Sequence, residues 1–128
     1  MILCDTNILI DLYKGADGIV REIEKIGEQN ICISAVTAAE LIYGAFNKNE
    51  LQRILTDIDH LQVHHINESI SELHLQLLTT YGLSHRLSLP DALIAATALH
   101  HNLPLWTLNV KDFRFIPRLQ LYSYDTVK

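Results

Sequence analysis

Apolar and polar positions along the chain form short blocks that predict strands followed by helices. Continuous apolar runs, which suit strands buried on both faces, predict strands at Ile2–Cys4 and 31–33. A period-two pattern predicts a third strand at 61–66, residues 103–108 supply a fourth, and 119–122 is a possible edge strand. Between them, apolar residues at helical spacing predict helices at 8–13, 17–28, 35–46, 50–59, from 67 or 69 to 81, and from 90 to 99. This alternation predicts an α/β fold with a central parallel sheet.

Composition indicates a compact globular protein. The chain has 128 residues, of which 48% are hydrophobic and 20% charged, so we expect one domain over residues 1–128. Asp5 and Asp11 interrupt the first apolar run far below membrane-spanning length, which predicts no membrane partner and a cytoplasmic protein. Cys4 and Cys32 fall in predicted buried strands, where cysteine behaves as a small apolar residue, and no disulfide framework is expected.

The formal net charge of −5 decides little about a nucleic-acid partner. Phosphate binding usually appears as a basic surplus, whereas this chain has 15 acidic residues and 10 Lys and Arg. If four of the acids bind a divalent metal, 11 acids remain against those 10 cations, and the rest of the surface is nearly neutral.

Three carboxylates stand alone in stretches that otherwise lack charge. Asp5 is the only charge among the first ten residues, Glu40 the only charge in the predicted helix 35–46, and Asp91 the only charge from 87 to 99. Desolvating an unpaired carboxylate costs several kcal/mol, about the magnitude that only a cation or several hydrogen bonds can compensate. Since none of these stretches contains Lys or Arg, a bound cation is the more attractive compensation.

These acids are expected to converge on one rim of the sheet. In a parallel α/β sheet, strand ends and the starts of the following helices share an edge, which brings together Asp5, Asp91 and the segment after the fourth strand, where Asp112 lies. Glu40, about one and a half turns into its helix, can reach the same edge. Four carboxylates on one rim suit Mg²⁺ or Mn²⁺, which prefer oxygen ligands.

Each of these acids also has a purely structural explanation, except one. Asp5 can cap the helix that follows it, Asp91 can stabilise its helix N-terminus and bond back to Ser88, and Asp112 can act similarly in its turn. Glu40 inherits no such role, because it lies in the middle of a helix.

Taken together, four segments resemble the motifs of PIN-domain ribonucleases, most closely the VapC-type toxins of toxin–antitoxin pairs. In order, the segments are 5–11 (DTNILID), 34–44 (SAVTAAELIYG), 91–98 (DALIAATA) and 107–113 (TLNVKDF). The resemblance spans nearly the whole chain. It implies that Asp5, Glu40, Asp91 and Asp112 are the metal-binding catalytic acids, with Thr6, Asn7, Thr107 and Asn109 supporting them; either Asn109 or Asp112 could contact metal directly or through water.

The same resemblance implies a fold and a function. It implies a PIN-like three-layer α/β/α architecture with a parallel sheet of about five strands, a homodimer, and inhibition by a cognate antitoxin whose tail enters the groove. The expected activity is a Mg²⁺- or Mn²⁺-dependent endoribonuclease that hydrolyses RNA phosphodiester bonds with metal-activated water.

Two other functions fit the acidic rim. A binding module could accept a basic peptide there without turnover. A phosphoacceptor domain of the flavodoxin-like kind would hold Mg²⁺ beside one aspartate, but it needs a lysine at the rim, for which Lys111 is the only nearby candidate.

Overall fold

A parallel sheet of four strands forms the centre of the computed structural model, which describes residues 1–123. Its strands are β1 (Ile2–Cys4), β2 (Ile31–Ser34), β3 (Gln62–His64) and β4 (Leu105–Trp106), arranged in the order β3-β2-β1-β4. Residues 124–128, the end of the predicted domain 1–128, lie outside the described residues. Because β2 and β3 lie on one side of β1 and β4 on the other, the strand order reverses at β1. Ligands of open α/β sheets bind at such a reversal, beyond the carboxyl ends of the strands.

Six α-helices connect and cover these strands within residues 1–123. They are α1 (Thr6–Tyr13), α2 (Asp17–Ile26), α3 (Ala35–Tyr43), α4 (Lys48–Asp59), α5 (Glu68–Tyr81) and α6 (Leu89–His101). Two short 3₁₀ turns lie at Glu28–Asn30 and Val110–Asp112. None of these helices is both long and apolar enough to cross a membrane.

Successive strand residues belong to different hydrophobic cores on the two faces of the sheet. Leu3 and Cys32 pack with residues of α5 and α6, whereas Cys4, Ile31 and Ile33 pack with residues of α1, α2, α3 and α4. This alternation follows from the two-residue period of a strand and confirms that β1 and β2 are buried on both faces, whereas β3 has no fully buried residue. The result is the predicted three-layer α/β/α arrangement, and both cysteines are buried and free.

Several helix ends differ from the prediction for local reasons. Helix α2 ends at Ile26, before the predicted 28, because Gly27 takes a φ of +93°, which ends the helix and which glycine adopts readily. Helix α3 ends at Tyr43 and not at 46. Helix α4 begins at Lys48 and not at 50, because the Asn47 side chain accepts a hydrogen bond from the Glu50 amide at 2.8 Å and caps the helix.

The predicted edge strand at 119–122 is reduced to a single parallel bridge between Leu105 and Leu121. Leu105 donates its amide to the Gln120 carbonyl and accepts from the Tyr122 amide, both at 2.8 Å. Strand β4 is only two residues long, and the preceding amide on the same side, that of Leu103, donates to the Ala98 carbonyl of α6, so the pairing does not extend in that direction. The segment takes the position of a fifth strand beside β4, close to the predicted number of strands.

Candidate functional site

Asp5 lies at the strand-order reversal, directly after β1, and is the most buried of the four predicted acids, with 5% of its surface exposed. One carboxylate oxygen accepts from the Thr6 amide and the other from the Thr107 hydroxyl, each at 2.7 Å. Burial raises the pKa of Asp5, these two hydrogen bonds lower it, and the charges of Glu40 and Asp112 raise it. Asp5 therefore caps α1, as one interpretation predicted, and also joins the ends of β1 and β4.

Glu40 is tied to the same edge through a chain of hydroxyl groups. Its Oε1 accepts from the Thr6 hydroxyl at 2.6 Å, and Thr6 Oγ1 lies 3.0 Å from the hydroxyl of Thr37. Because a hydroxyl has only one proton, Thr6 donates to the carboxylate and accepts from Thr37. Thr37, which is fully buried, was missed by the sequence reasoning. The sequence signal that could have found Thr37 is its spacing, since Ser34, Thr37 and Glu40 recur every three residues along one helix face.

Asp91 lies in the first turn of α6, where Ser88 caps the helix by accepting from the Asp91 amide at 3.2 Å. The pKa of Asp91 rises from 3.8 to about 6, first through burial and then through the negative charges of Asp5 and Asp112, with a smaller contribution from Glu40. A hydrogen bond between the Ser88 and Asp91 side chains lowers this pKa. Asp91 thus places a negative charge in the first turn of its helix, as predicted, and also interacts electrostatically with the other three acids.

Asp112 and the supporting residues follow β4. Asp112 ends the 3₁₀ turn that starts at Val110, and Asn109 precedes that turn, donating its amide to the Thr107 hydroxyl at 3.0 Å. Across the reversal, the Asn7 side-chain carbonyl accepts from the Leu108 amide at 3.4 Å. These bonds join the loops after β1 and β4, the two loops that carry Asp5 and Asp112.

The prediction that Asp5, Glu40 and Asp91 are desolvated was right for Asp5, right in part for Asp91 and wrong for Glu40. Asp91 is partly buried, whereas Glu40 and Asp112 are exposed. The apolar neighbours of Glu40 in the sequence misled the prediction because its helix face is open to solvent: Tyr43, on the same face, is 94% exposed. Repulsion between carboxylates, more than desolvation, therefore favours a bound cation, since every charge that shifts the pKa of Asp5 or Asp91 is another carboxylate.

The donor set fits a hard divalent cation that keeps part of its water. Within residues 1–123, no three His, Cys, Asp or Glu side chains approach closely enough to enclose an ion by themselves. Mg²⁺ usually binds through one or two carboxylates and retains several waters, so it does not need such a cage. Neighbouring carboxylates help to raise the pKa of Asp5 and of Asp91, and a bound cation would stabilise the ionised form of both.

A cavity of about 410 Å³ opens beside Glu40 between α1, α3 and α4. Its wall includes the apolar side chains of Ile10 and Phe46 and the cation Arg53. Phe46 is 87% exposed and Ile10 40%, so this wall presents apolar surface to solvent. The groove next to the acidic rim is thus wide and partly apolar.

The fold and this acidic edge define a class of protein. The family model described as PIN domain matches residues 2–118, and the chain belongs to this family. Ribonuclease VapC1 of Methanocaldococcus jannaschii is 33% identical over 129 residues, covering 97% of this chain and 87% of that protein.

Two solved structures share the fold over nearly the whole chain. A toxin–antitoxin complex from Klebsiella pneumoniae matches with a TM-score of 0.79 and 37% identity, covering 93% of this chain and 95% of the other. VapBC2 from Rickettsia felis, bound to a DNA fragment from its promoter, matches with a TM-score of 0.80 and 30% identity, covering 98% and 100%. The resemblance to VapC-type PIN-domain ribonucleases is confirmed.

Proposed function

We propose that this protein is an endoribonuclease toxin that hydrolyses RNA phosphodiester bonds with the help of Mg²⁺ or Mn²⁺. The observation that carries the proposal is the acidic edge itself: Asp5, Glu40, Asp91 and Asp112 come from four separate segments, yet the charges of Glu40 and Asp112 help to raise the pKa of both Asp5 and Asp91. A cluster of uncompensated carboxylates at the strand-order reversal suits a cation and a phosphate substrate. The curated VapC relatives, which are named ribonucleases, support the choice of RNA.

In this proposal the four acids hold the metal, and their neighbours set their positions. A bound divalent ion lowers the pKa of a water molecule and stabilises the charge that develops on the phosphate. Thr107 orients Asp5 by donating to its Oδ2, and Thr6 orients Glu40 by donating to its Oε1. Asn7 and Asn109 brace the two loops that carry Asp5 and Asp112. No side chain needs to act as a covalent nucleophile.

The proposal is tested by RNA cleavage with Mn²⁺ and with EDTA, comparing the native protein with Asp5→Asn. We expect cleavage by the native protein in Mn²⁺ and none in EDTA or by the variant. Cleavage that survives both EDTA and Asp5→Asn would refute the metal-dependent mechanism. Binding of a basic peptide to the rim, with no turnover of RNA, would instead support a binding module.

We also propose that a cognate antitoxin inhibits this protein by placing a segment in the groove beside Glu40, and that the protein forms a homodimer. Support comes from the toxin–antitoxin complexes among its structural relatives and from the exposed ring of Phe46 on the groove wall. Co-expression with the product of a neighbouring small reading frame should suppress cleavage. Phe46→Ser should weaken that inhibition, and sedimentation of the protein alone should give twice the monomer mass.

A further inference from the structure

The segment before Asp91 and the segment after Asp112 are joined by a cluster of rings. His85 stacks on Phe115 with ring centroids 4.1 Å apart and planes 15° from parallel. Tyr81, at the end of α5, packs against both rings, with its centroid 5.1 Å from Phe115 and 5.5 Å from His85. None of these rings takes part in the carboxylate site described above.

His85 is exposed and yet held in place. Phe115 covers one face of its ring, Tyr81 meets it at 75°, and the Ser84 hydroxyl lies 2.8 Å from its Nδ1. A planar group whose orientation is already set by three neighbours loses little conformational freedom when a ligand stacks on it. The exposed part of the ring is therefore a preorganised surface for a second flat group.

Positive charges flank this ring cluster. Arg86 is exposed and follows His85 directly, and Lys111 and Arg114 are exposed on the segment that carries Phe115. An acidic rim repels phosphates wherever it is not neutralised by metal, so a polyanion needs cations beside the rim. The combination of cations and an exposed ring is complementary to single-stranded nucleic acid, which binds proteins through phosphate contacts and base stacking.

The ring cluster lies close to the acidic edge. His85 precedes Ser88 by three residues, and Ser88 is joined to the Asp91 amide across one helical turn. An extended residue spans at most about 3.6 Å and a helical turn rises about 5.4 Å, so His85 lies within about 16 Å of Asp91 along the backbone. That distance corresponds to a few nucleotides of a single strand.

We propose that His85, backed by Phe115, is a stacking platform for one unpaired base of the RNA substrate, and that Arg86 contacts a neighbouring phosphate. This inference rests on the proposed ribonuclease function and adds a subsite for one unpaired base, because bases in a duplex are already paired and stacked and have no free face to offer. His85 and Arg86 are positioning residues that select RNA which is single-stranded beside the cleaved bond.

The backbone conformation of Arg86 allows an effect on thermal stability to be distinguished from an effect on RNA binding. Arg86 has a φ of +54°, a conformation that side chains other than glycine adopt at a cost. Arg86→Gly removes that cost together with the cation. The variant should therefore melt at a higher temperature than the native protein while it binds RNA less tightly, a pair of effects that a merely structural role would not produce.

The experiment measures kcat and KM for cleavage of a short single-stranded RNA in Mn²⁺. Losing one stacked base should raise KM about 5- to 150-fold in His85→Ala without lowering kcat, and His85→Phe should keep the native KM because only a flat ring is needed. Arg86→Gly should raise KM and reduce the slope of log KM against log salt by about 0.7, the value for one phosphate contact. Arg21→Ala, which removes an exposed cation from α2, is the matched control and should leave KM unchanged.

An unchanged KM in His85→Ala would overturn the proposal, and so would an equal loss in His85→Phe or in Arg21→Ala. A change in sedimentation of His85→Ala would also overturn it, by assigning the ring to a contact between copies of the chain. These results differ from a failure of the proposed function, in which the native protein itself would not cleave RNA in Mn²⁺.

Discussion

Replacing Asp91 by asparagine should abolish RNA cleavage and at the same time stabilise the metal-free protein at neutral pH. Asp91 has a folded-state pKa of about 6 against an ordinary value of 3.8, raised first by burial and then by Asp5 and Asp112. The folded protein therefore disfavours the ionised carboxylate. Asparagine has nearly the same shape and lacks the charge, so it removes the repulsion and can keep its place in the first turn of α6.

The expected gain follows from the two pKa values. At about 1.36 kcal/mol per unit, the difference between them corresponds to roughly 3 kcal/mol at pH 7. Because Asp91 is only partly buried, solvent screening reduces this to about 1–2 kcal/mol. Loss of a favourable charge at a helix N-terminus costs about 0.3–1 kcal/mol. Asp91→Asn should therefore be more stable by roughly 1 kcal/mol, which is a rise in Tm of about 2–5 °C.

The direction of the pKa shift determines how the stability difference between the native protein and Asp91→Asn changes with pH. An acid whose folded pKa is raised stabilises the fold when protonated, so its destabilising effect appears as the pH rises from 3.8 towards about 6 and is complete above that value. The native protein and the variant should therefore differ most in stability at pH 7 and converge below pH 3.8. Thermal melts in EDTA across this interval measure the difference.

A matched control separates the carboxylate cluster from the helix dipole. Asp17 is an exposed aspartate in the first turn of α2. Asp17→Asn should lose a few tenths of a kcal/mol, about the usual value for a charge at a helix N-terminus, and gain nothing. In Mn²⁺, the native protein and Asp17→Asn should melt at higher temperatures through ligand linkage, whereas Asp91→Asn should gain much less. Equal Mn²⁺-induced shifts in Asp91→Asn, together with retained cleavage, would refute the reasoning and leave Asp91 with only a structural role at the start of α6.

The order of strands and helices could be predicted because the signals are local. The apolar run at Ile2–Cys4 and the helical spacing of the residues after it depend on backbone periods of two and 3.6 residues, which do not change with tertiary context. Element ends were less predictable. The α4 boundary depends on which way the Asn47 side chain turns, and the length of β4 depends on which carbonyl and amide groups lie beside Leu105.

Convergence of the four acids could also be predicted, because parallel strand ends share an edge. The solvent exposure of these acids could not be predicted from the sequence. Glu40 has apolar neighbours in the sequence, but burial depends on whether another layer covers that helix face, and none of the sheet lies over Tyr43. The link from Thr37 through Thr6 to Glu40 was equally hidden, since it joins α3 to α1 through side-chain rotamers that the sequence pattern does not specify.

Three further substitutions test individual contacts. Glu40→Gln should abolish cleavage with almost no change in Tm, because Glu40 is exposed and glutamine still offers an oxygen to Thr6; retained cleavage would remove Glu40 from the metal site. Asn102→Ala should cost about 1 kcal/mol in urea denaturation, since Asn102 ends α6 in the left-handed region at φ +54°; an unchanged midpoint would contradict this. Thr107→Val keeps the shape of a buried side chain but removes the proton donated to Asp5 at 2.7 Å. A hydrogen bond to a charged group contributes about 1.5–3 kcal/mol, so the variant should lose about 2 kcal/mol at pH 7. Because that bond favours the ionised carboxylate and lowers the pKa of Asp5, the loss should shrink as acid protonates Asp5. Urea denaturation at neutral and acidic pH measures both values, and an equal loss at each would mean that Thr107 contributes packing and no charge-assisted bond.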